Sequence, residues 1–235
     1  MFDFNERTEL LIGAEKTALL AEKNVLLFGL GGVGGYCAEA LVRAGIGHIM
    51  GVDGDTVSLS NLNRQILALR STVGQYKTDV FRARALDINP DIDIRTVNSF
   101  YGRDGFPDNE LDFSSYDYII DCIDDVKAKV KIIVKARNAN VPVISCMGAG
   151  NRSCSPEFIV CDLFSTSGDP LARVLRQSLR KEGIVNDVLC VISKNSPDAP
   201  LNAFPDGRRV VSSISYSPAA EGILCASEVI RYLIK

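Results

Sequence analysis

The sequence predicts an α/β protein, with a mostly parallel sheet flanked by helices and an irregular extension of the sheet towards the carboxyl end. Three observations carry that expectation. Residues 25–34 read VLLFGLGGVG, an apolar run broken by Gly29, Gly31, Gly32 and Gly34. Two acids, Asp53 and Asp55, come about twenty positions later. Apolar runs then alternate with segments of helical spacing as far as residue 147. A buried strand, a tight glycine turn and a helix amino terminus in that order grip nucleotide phosphates, so the sheet is expected to be Rossmann-like.

Each element is read from local pattern. Residues 6–22 show helical apolar spacing and are expected to form one helix ahead of the sheet. Strands are predicted at 24–29 and 47–52, on either side of a helix at 33–44. Val25, Leu26, Leu27 and Phe28 suit a strand covered on both faces. A polar loop, 53–65, leads to a helix at 76–88 that must stop before Asn89-Pro90. Strands at 92–97 and 117–121, a helix at 125–139 and a strand at 142–147 complete the alternating core. Segment 101–115, rich in Gly, Asp, Pro and Ser, reads as a loop with room for one short turn. Beyond 151, strands are predicted at 157–162, 187–193 and 209–216, and helices at 170–182 and 218–233. Segment 194–207 holds three prolines and reads as a loop. The 235 residues are expected to form a single domain.

Composition narrows the function classes. The net charge of −3 makes the surface as a whole no magnet for nucleic acid, so any RNA contact must come from a local patch. No apolar run reaches the ~18 residues of a membrane span, and the acidic start MFDFNE is no signal peptide. A cytoplasmic protein is expected. The seven cysteines form no Cys-x-x-Cys pair and the chain has a single histidine, His48, so no zinc site is expected. Cysteines embedded in apolar runs, Cys190 and Cys225 among them, read as reduced core thiols.

The residues after Asp53 select the nucleotide. The loop reads GDTVSLSNLNRQ, and a hydride-transferring enzyme has no evident use for Asn61 and Arg64 there. An enzyme that expels pyrophosphate from ATP does, because the leaving group needs donors and cations around it. Lys77, at the end of TVGQYK, adds a second cation at a helix start. DYIIDCIDDV places Asp121, Asp124 and Asp125 at the carboxyl end of a strand, where open α/β sheets hold their ligands.

Taken together, GLGGVG, the VSLSNLNRQ loop, VGQYK and DCIDD resemble the adenylating superfamily of E1-like enzymes, which includes the ThiF and MoeB types. Three further stretches, SCMGAGN at 145–151, TSGDPLARVLRQSLR at 166–180 and SSISYSPAAEGILCASE at 212–228, resemble its tRNA threonylcarbamoyladenosine dehydratase branch. The missing cysteine pairs also favour that branch, because the MoeB and ThiF types commonly carry zinc.

The resemblance implies ATP and Mg²⁺, with tRNA carrying threonylcarbamoyladenosine as partner. It implies that Asp53 receives the ribose hydroxyls, that Asn61, Arg64 and Lys77 surround the phosphates, and that Asp124 helps hold magnesium. Asp55 reads equally as ligand or loop cap. Asp121 is expected to share the nucleotide site or merely end its strand, and Asp125 to cap the next helix. Arg7 matches an arginine that reaches into a partner subunit's site, which implies a homodimer. Arg173, Arg176, Arg180 and Lys181 fall on one helix face and are expected to meet RNA. A second basic cluster, Lys127 to Arg137, is left open. A sulfur-transfer or cysteine desulfurase partner is conceivable from the superfamily alone. The competing activity is adenylation of the carboxyl-terminal glycine of a ubiquitin-like sulfur carrier, whose first chemical step is the same. Outside the enzyme class stands a nucleotide-sensing module.

Overall fold

The computed structural model describes residues 4–103, 106, 111–198 and 211–235. Seven strands form one sheet in the spatial order β3-β2-β1-β4-β5-β7-β6. They are Asn24–Phe28 (β1), His48–Val52 (β2), Asp93–Val97 (β3), Tyr118–Asp121 (β4), Val143–Cys146 (β5), Phe158–Asp162 (β6) and Leu189–Ser193 (β7). All neighbours run parallel except β6, which pairs antiparallel with β7 and ends the sheet. The α/β expectation and its late extension are therefore what the chain adopts.

The alternation of side chains along β1 explains the two-layered core. Val25 and Leu27 pack to one face with Leu20, Leu41, Phe81, Cys225 and Val229. Leu26 and Phe28 pack to the other with Ile119, Ile132, Leu175, Leu179 and Cys190. Successive residues of a strand point to opposite faces, so an unbroken apolar run is the sequence of a strand covered twice. The helices supplying the covers are Gly34–Arg43 (α3), Lys77–Ile88 (α4), Val126–Asn138 (α5), Pro170–Lys181 (α6) and Tyr216–Leu233 (α7). None of the helices in the described residues is long and apolar enough to cross a membrane.

Two expectations are corrected. The helix expected at 6–22 is two helices, Glu6–Ile12 (α1) and Ala14–Ala21 (α2), because Gly13 sits at a φ of 90°. A glycine in the left-handed region costs little there, and no L side chain would hold the turn as easily. The strand expected at 209–216 is absent over 211–214, and α7 begins at Tyr216, two residues ahead of Pro218. Proline is tolerated in a helix's first turn, so it marks the start loosely. Residues 209 and 210, and 199–207 of the proline-rich loop, lie outside the described residues. Within 101–115, Phe113–Ser115 forms the short turn, while 104–105 and 107–110 lie outside the described residues.

Candidate nucleotide site

Strand β1 has β2 on one side and β4 on the other, so the chain reverses its direction of travel across the sheet at β1. Open α/β sheets place their ligand crevice at the carboxyl ends of such strands. A cavity of about 1000 Å³ lies there, lined by Gly29, Gly31, Gly32, Asp53, Asp55, Asn61, Arg64, Lys77 and Asp124 among others. The glycine turn at its base is sterically committed. Gly29 has a φ of 86°, and a Cβ added there would lie 2.8 Å from the carbonyl oxygen of Cys122. A Cβ at Gly34 would lie 1.7 Å from the carbonyl oxygen of Gly29. Only hydrogen fits at either place.

Asp53 comes directly after β2 and is almost fully buried. Its Oδ2 accepts the N–H of Leu30 at 2.6 Å and its Oδ1 accepts the N–H of Asp55 at 2.7 Å. The acid therefore ties the end of β2 to the glycine turn while facing the cavity. Burial pushes its carboxyl above the ordinary range, against the pull of Lys77 and the two backbone donors. Lys77 opens α4 with its side chain only 5% exposed, and its Nζ lies 2.8 Å from Asp55 Oδ2 and 4.0 Å from Asp53 Oδ2. A buried ammonium held between two acids at a cavity wall is positioned for phosphate rather than lost to solvent.

Asn61 ends a short turn, and its Oδ1 accepts the N–H of Ser58 at 3.0 Å. That leaves its amide nitrogen as the group able to donate to a ligand. Arg64 is half-buried, its Nη1 donating to Ser60 O at 2.7 Å and Asn63 Oδ1 at 3.0 Å. Both contacts fix the guanidinium over the cavity and leave part of its donor fork for an anion. Asp124 is exposed at the rim, whereas Asp125 spends its Oδ1 on the N–H of Ala128 and caps α5.

Asp121 must be corrected as a nucleotide contact. It is wholly buried and does not line the cavity. Its Oδ2 accepts Lys129 Nζ at 3.0 Å and the Ser145 hydroxyl at 2.6 Å, and its Oδ1 accepts the N–H of Ile123 at 3.1 Å. The carboxylate is engaged at both oxygens at the carboxyl end of the central strand, and its burial keeps it from a ligand in the cavity. Arg7 lies on α1, exposed and away from the cavity lining of its own chain.

Sequence reasoning missed several cavity residues. Arg152, buried after β5, donates from Nε to Gly148 O at 3.1 Å and from Nη2 to Asp169 Oδ2 at 3.1 Å, and also bonds Asn195 O. Asp169 in turn caps α6 through the N–H of Ala172 at 2.8 Å. An Asp before Pro at a helix start is a cap signal, and DPLA carried it. Arg103 lies over the Phe100 ring at 4.0 Å, and both line the cavity beside Gly54.

The sequence model of the ThiF family matches residues 6–235. The chain belongs to the ThiF family. It is 36% identical over 240 residues to the tRNA threonylcarbamoyladenosine dehydratase of Bacillus subtilis, across 97% of this chain and 94% of that protein. The crystal structure of E. coli tRNA N6-threonylcarbamoyladenosine dehydratase, TcdA, in complex with AMP superposes with a TM-score of 0.87 at 33% identity, covering 97% of this chain and 92% of that one. The same E. coli protein in complex with ATP gives a TM-score of 0.85 at the same identity and coverage.

In this ThiF-family chain the two basic helices differ in what they leave free. On α6, Ala172, Leu175 and Leu179 face the core, while Arg173 and Lys181 are exposed and Arg180 lies over the Phe164 ring at 5.6 Å. Arg176 departs from the expected RNA face, because its Nη1 turns inward to Leu163 O and Thr166 Oγ1. On α5 the cluster is mostly consumed by the fold. Lys129 is buried, Lys131 donates to Gly102 O at 3.0 Å, Lys135 covers the Tyr101 and Phe113 rings and Arg137 donates to Asn186 O at 2.7 Å.

Glu221 of α7 is wholly buried and neither carboxyl oxygen has a hydrogen-bond partner among the described residues. The nearby N–H of Met147 is committed to Val191 O at 2.9 Å. Burial drives the Glu221 carboxyl well above its ordinary range, with Cys122 and Asp169 adding to the effect and Lys129 opposing it. The folded state therefore holds a proton that the unfolded chain releases at neutral pH, so stability is lost as pH rises above the ordinary carboxylate range. Glu221→Gln removes the titrating group and with it that loss, so the variant is expected to be more stable than the wild type at neutral pH and not at low pH. Urea denaturation at about pH 4 and about pH 8, roughly either side of the ordinary carboxylate's titration, checks it, with the gain expected only at the higher pH.

Proposed function

We propose that this ThiF-family chain is an ATP-dependent dehydratase of threonylcarbamoyladenosine in tRNA, working through a carboxyl-adenylate. The observation that carries the reading is the ring of Asp53, Asn61, Arg64 and Lys77 around a glycine turn. The near full-length likeness to dehydratases supports the choice of acceptor.

Those positions support the following chemistry. The threonyl carboxylate attacks the α-phosphorus of ATP, and the bond from that phosphorus to the bridging oxygen breaks to release pyrophosphate. Backbone N–H groups of the turn after Gly29 meet the phosphates, since no Cβ holds them off. Arg64 and Lys77 offset the charge that gathers on the leaving pyrophosphate, and Asp53 fixes the ribose. The carbamoyl group of the same nucleoside then attacks the activated carbonyl, the bond to AMP breaks, and a ring closes with net loss of water. Ring closure within one substrate needs no enzyme thiol.

Magnesium fits the donor set through Asp124, whose exposed carboxylate at the rim is a hard oxygen ligand, and bound there with the phosphates it would neutralise charge. Asp121 and Asp125 are spent on the fold and are left out of that assignment. A homodimer is part of the reading. Helix α1 buries none of its residues, and Leu10 and Leu11 are 82% and 84% exposed, a surface that a second copy would cover while bringing Arg7 to its partner's cavity. For tRNA, the exposed Arg173, Arg180 and Lys181 extend from a helix whose amino end, Asp169 to Leu171, lines the same cavity. A tRNA acceptor makes the cytoplasm the place of action.

Mass spectrometry of nucleosides from modified tRNA, incubated with the chain and ATP, tests the proposal. The expected result is ATP-dependent loss of one water from the modified nucleoside, with AMP and pyrophosphate released. An unchanged nucleoside, with pyrophosphate released only when a ubiquitin-like carrier protein is supplied, would move the assignment to carrier adenylation.

A further inference from the structure

Four cysteines from four elements meet beneath the glycine turn: Cys37 of α3, Cys122 just past β4, Cys146 at the end of β5 and Cys225 of α7. Strands β4 and β5 run in parallel with Asp121 opposite Ser145, so the next residues, Cys122 and Cys146, lie opposite each other. Their Sγ atoms are 3.7 Å apart. A disulfide needs about 2.05 Å between sulfurs and adjacent strands supply a suitable Cα separation, so a modest approach closes the bond. Cys122 is half-buried and lines the nucleotide cavity, whereas Cys37, Cys146 and Cys225 are buried. The cavity is therefore the route by which a small molecule reaches the cluster.

We propose that Cys122 and Cys146 are an oxidant-addressed modification site, in which a peroxide entering the empty nucleotide cavity converts the pair to a disulfide and weakens the phosphate grip. The sulfur of Cys122 attacks one peroxide oxygen, the O–O bond breaks, and the departing hydroxide takes the proton of the Cys122 thiol and leaves as water. Cys122 is thereby oxidised by two electrons to a sulfenic acid and the peroxide is reduced. The Cys146 thiol then attacks that sulfur, the S–S bond forms, the S–O bond breaks and the departing hydroxide takes the thiol proton as a second water.

Access selects Cys122 as the attacking thiol, because among Cys37, Cys122, Cys146 and Cys225 it is the one that lines the cavity and is not fully buried. An accessible thiol with an adjacent resolving thiol is the arrangement of a redox-sensitive pair. The other facing pair, Cys161 and Cys190, lacks this, because neither lines the cavity. The consequence for nucleotide binding is mechanical. The carbonyl of Cys122 abuts Gly29 and its Cβ lies 3.1 Å from where a Gly34 side chain would begin, so any shift of Cys122 is passed to the phosphate-holding turn.

The test uses the full chain exposed to hydrogen peroxide, with and without Mg·ATP, followed by alkylation, peptide mapping and calorimetric titration with ATP. The expected result is a Cys122–Cys146 cross-linked peptide and loss of ATP binding in step, both reversed by dithiothreitol and both slowed by Mg·ATP. Cys146→Ala is expected to bind ATP as before and to stop at a Cys122 sulfenic acid that a dimedone probe captures. Should that variant fail to fold, the wild-type peptide map still decides. Oxidation confined to Cys154, the exposed cysteine, would overturn the proposal, as would a Cys122–Cys146 cross-link that leaves ATP affinity unchanged. The acceptor that the enzyme dehydrates plays no part in these readouts, so this inference and the proposed function fail separately.

Discussion

Replacing Arg64 by alanine is expected to lower ATP-driven turnover by about 10²–10³-fold while leaving stability within about 0.5 kcal/mol. The small stability effect reflects the atoms that the side chain touches. Its bonds go to Ser60 O and Asn63 Oδ1, both in its own loop and both within reach of water. The large kinetic effect reflects where it points. The guanidinium lines the cavity within the same wall as Lys77 and Asn61, where negative charge collects as pyrophosphate departs. A group that meets charge developed mainly in the transition state lowers kcat when removed, and a group that only binds ATP raises KM. Steady-state release of AMP from the alanine variant, resolved into kcat and KM, distinguishes these. Arg64→Lys is expected to recover only part of the loss, because an ammonium cannot bracket two oxygens. Unchanged AMP release would remove Arg64 from the chemistry and favour a nucleotide-sensing module instead.

Nearly all of the sheet was legible because its signals are local. A doubly apolar run such as Val25–Phe28 and the glycines that end it are read within a few residues of each other, and the structure places both as expected. Asp53 and Lys77 were legible for the same reason: each sits just past a strand end or at a helix start, and both reach the cavity. Asp121 was misread because the contacts that decide its fate are not local. Its neighbours in sequence, Cys122 to Asp125, suggest a cluster of acids, but its own carboxylate is claimed by Lys129 on the next helix and by Ser145 on the next strand. Arg176 fails in the same way, since helical spacing gives a face but cannot say that Thr166 waits beside it. Arg152 had no signal at all. Its importance is the meeting of three segments at Gly148, Asp169 and Asn195, which only the folded chain brings together.

The Asp121–Lys129 pair makes the second large expectation. Lys129→Met is expected to destabilise the fold by about 3–5 kcal/mol, the cost of leaving one member of a buried ion pair uncompensated. Neither side chain has any exposure, and Lys129 Nζ also donates to Ser145 Oγ at 3.1 Å and Cys146 O at 2.7 Å, so three acceptors lose their donor together. Burial opposes the charge of Lys129, yet Asp121 together with Cys146 and Cys122 outweighs it and holds the ammonium above its usual range. Burial also pushes Asp121 up, with Lys129 and Ser145 as the restraints. Without Lys129 the carboxyl rises further and the folded state keeps a proton that the unfolded chain gives up. Stability of the variant is then highest at low pH and falls as pH climbs past the ordinary carboxylate range. Urea denaturation across pH should therefore show a deficit that widens with pH. Adding Asp121→Asn to Lys129→Met removes the titrating group, so the double variant should recover part of the loss and show a nearly flat profile. A single variant whose deficit is independent of pH would mean that Asp121 finds another cation, and that the pair is packing rather than charge.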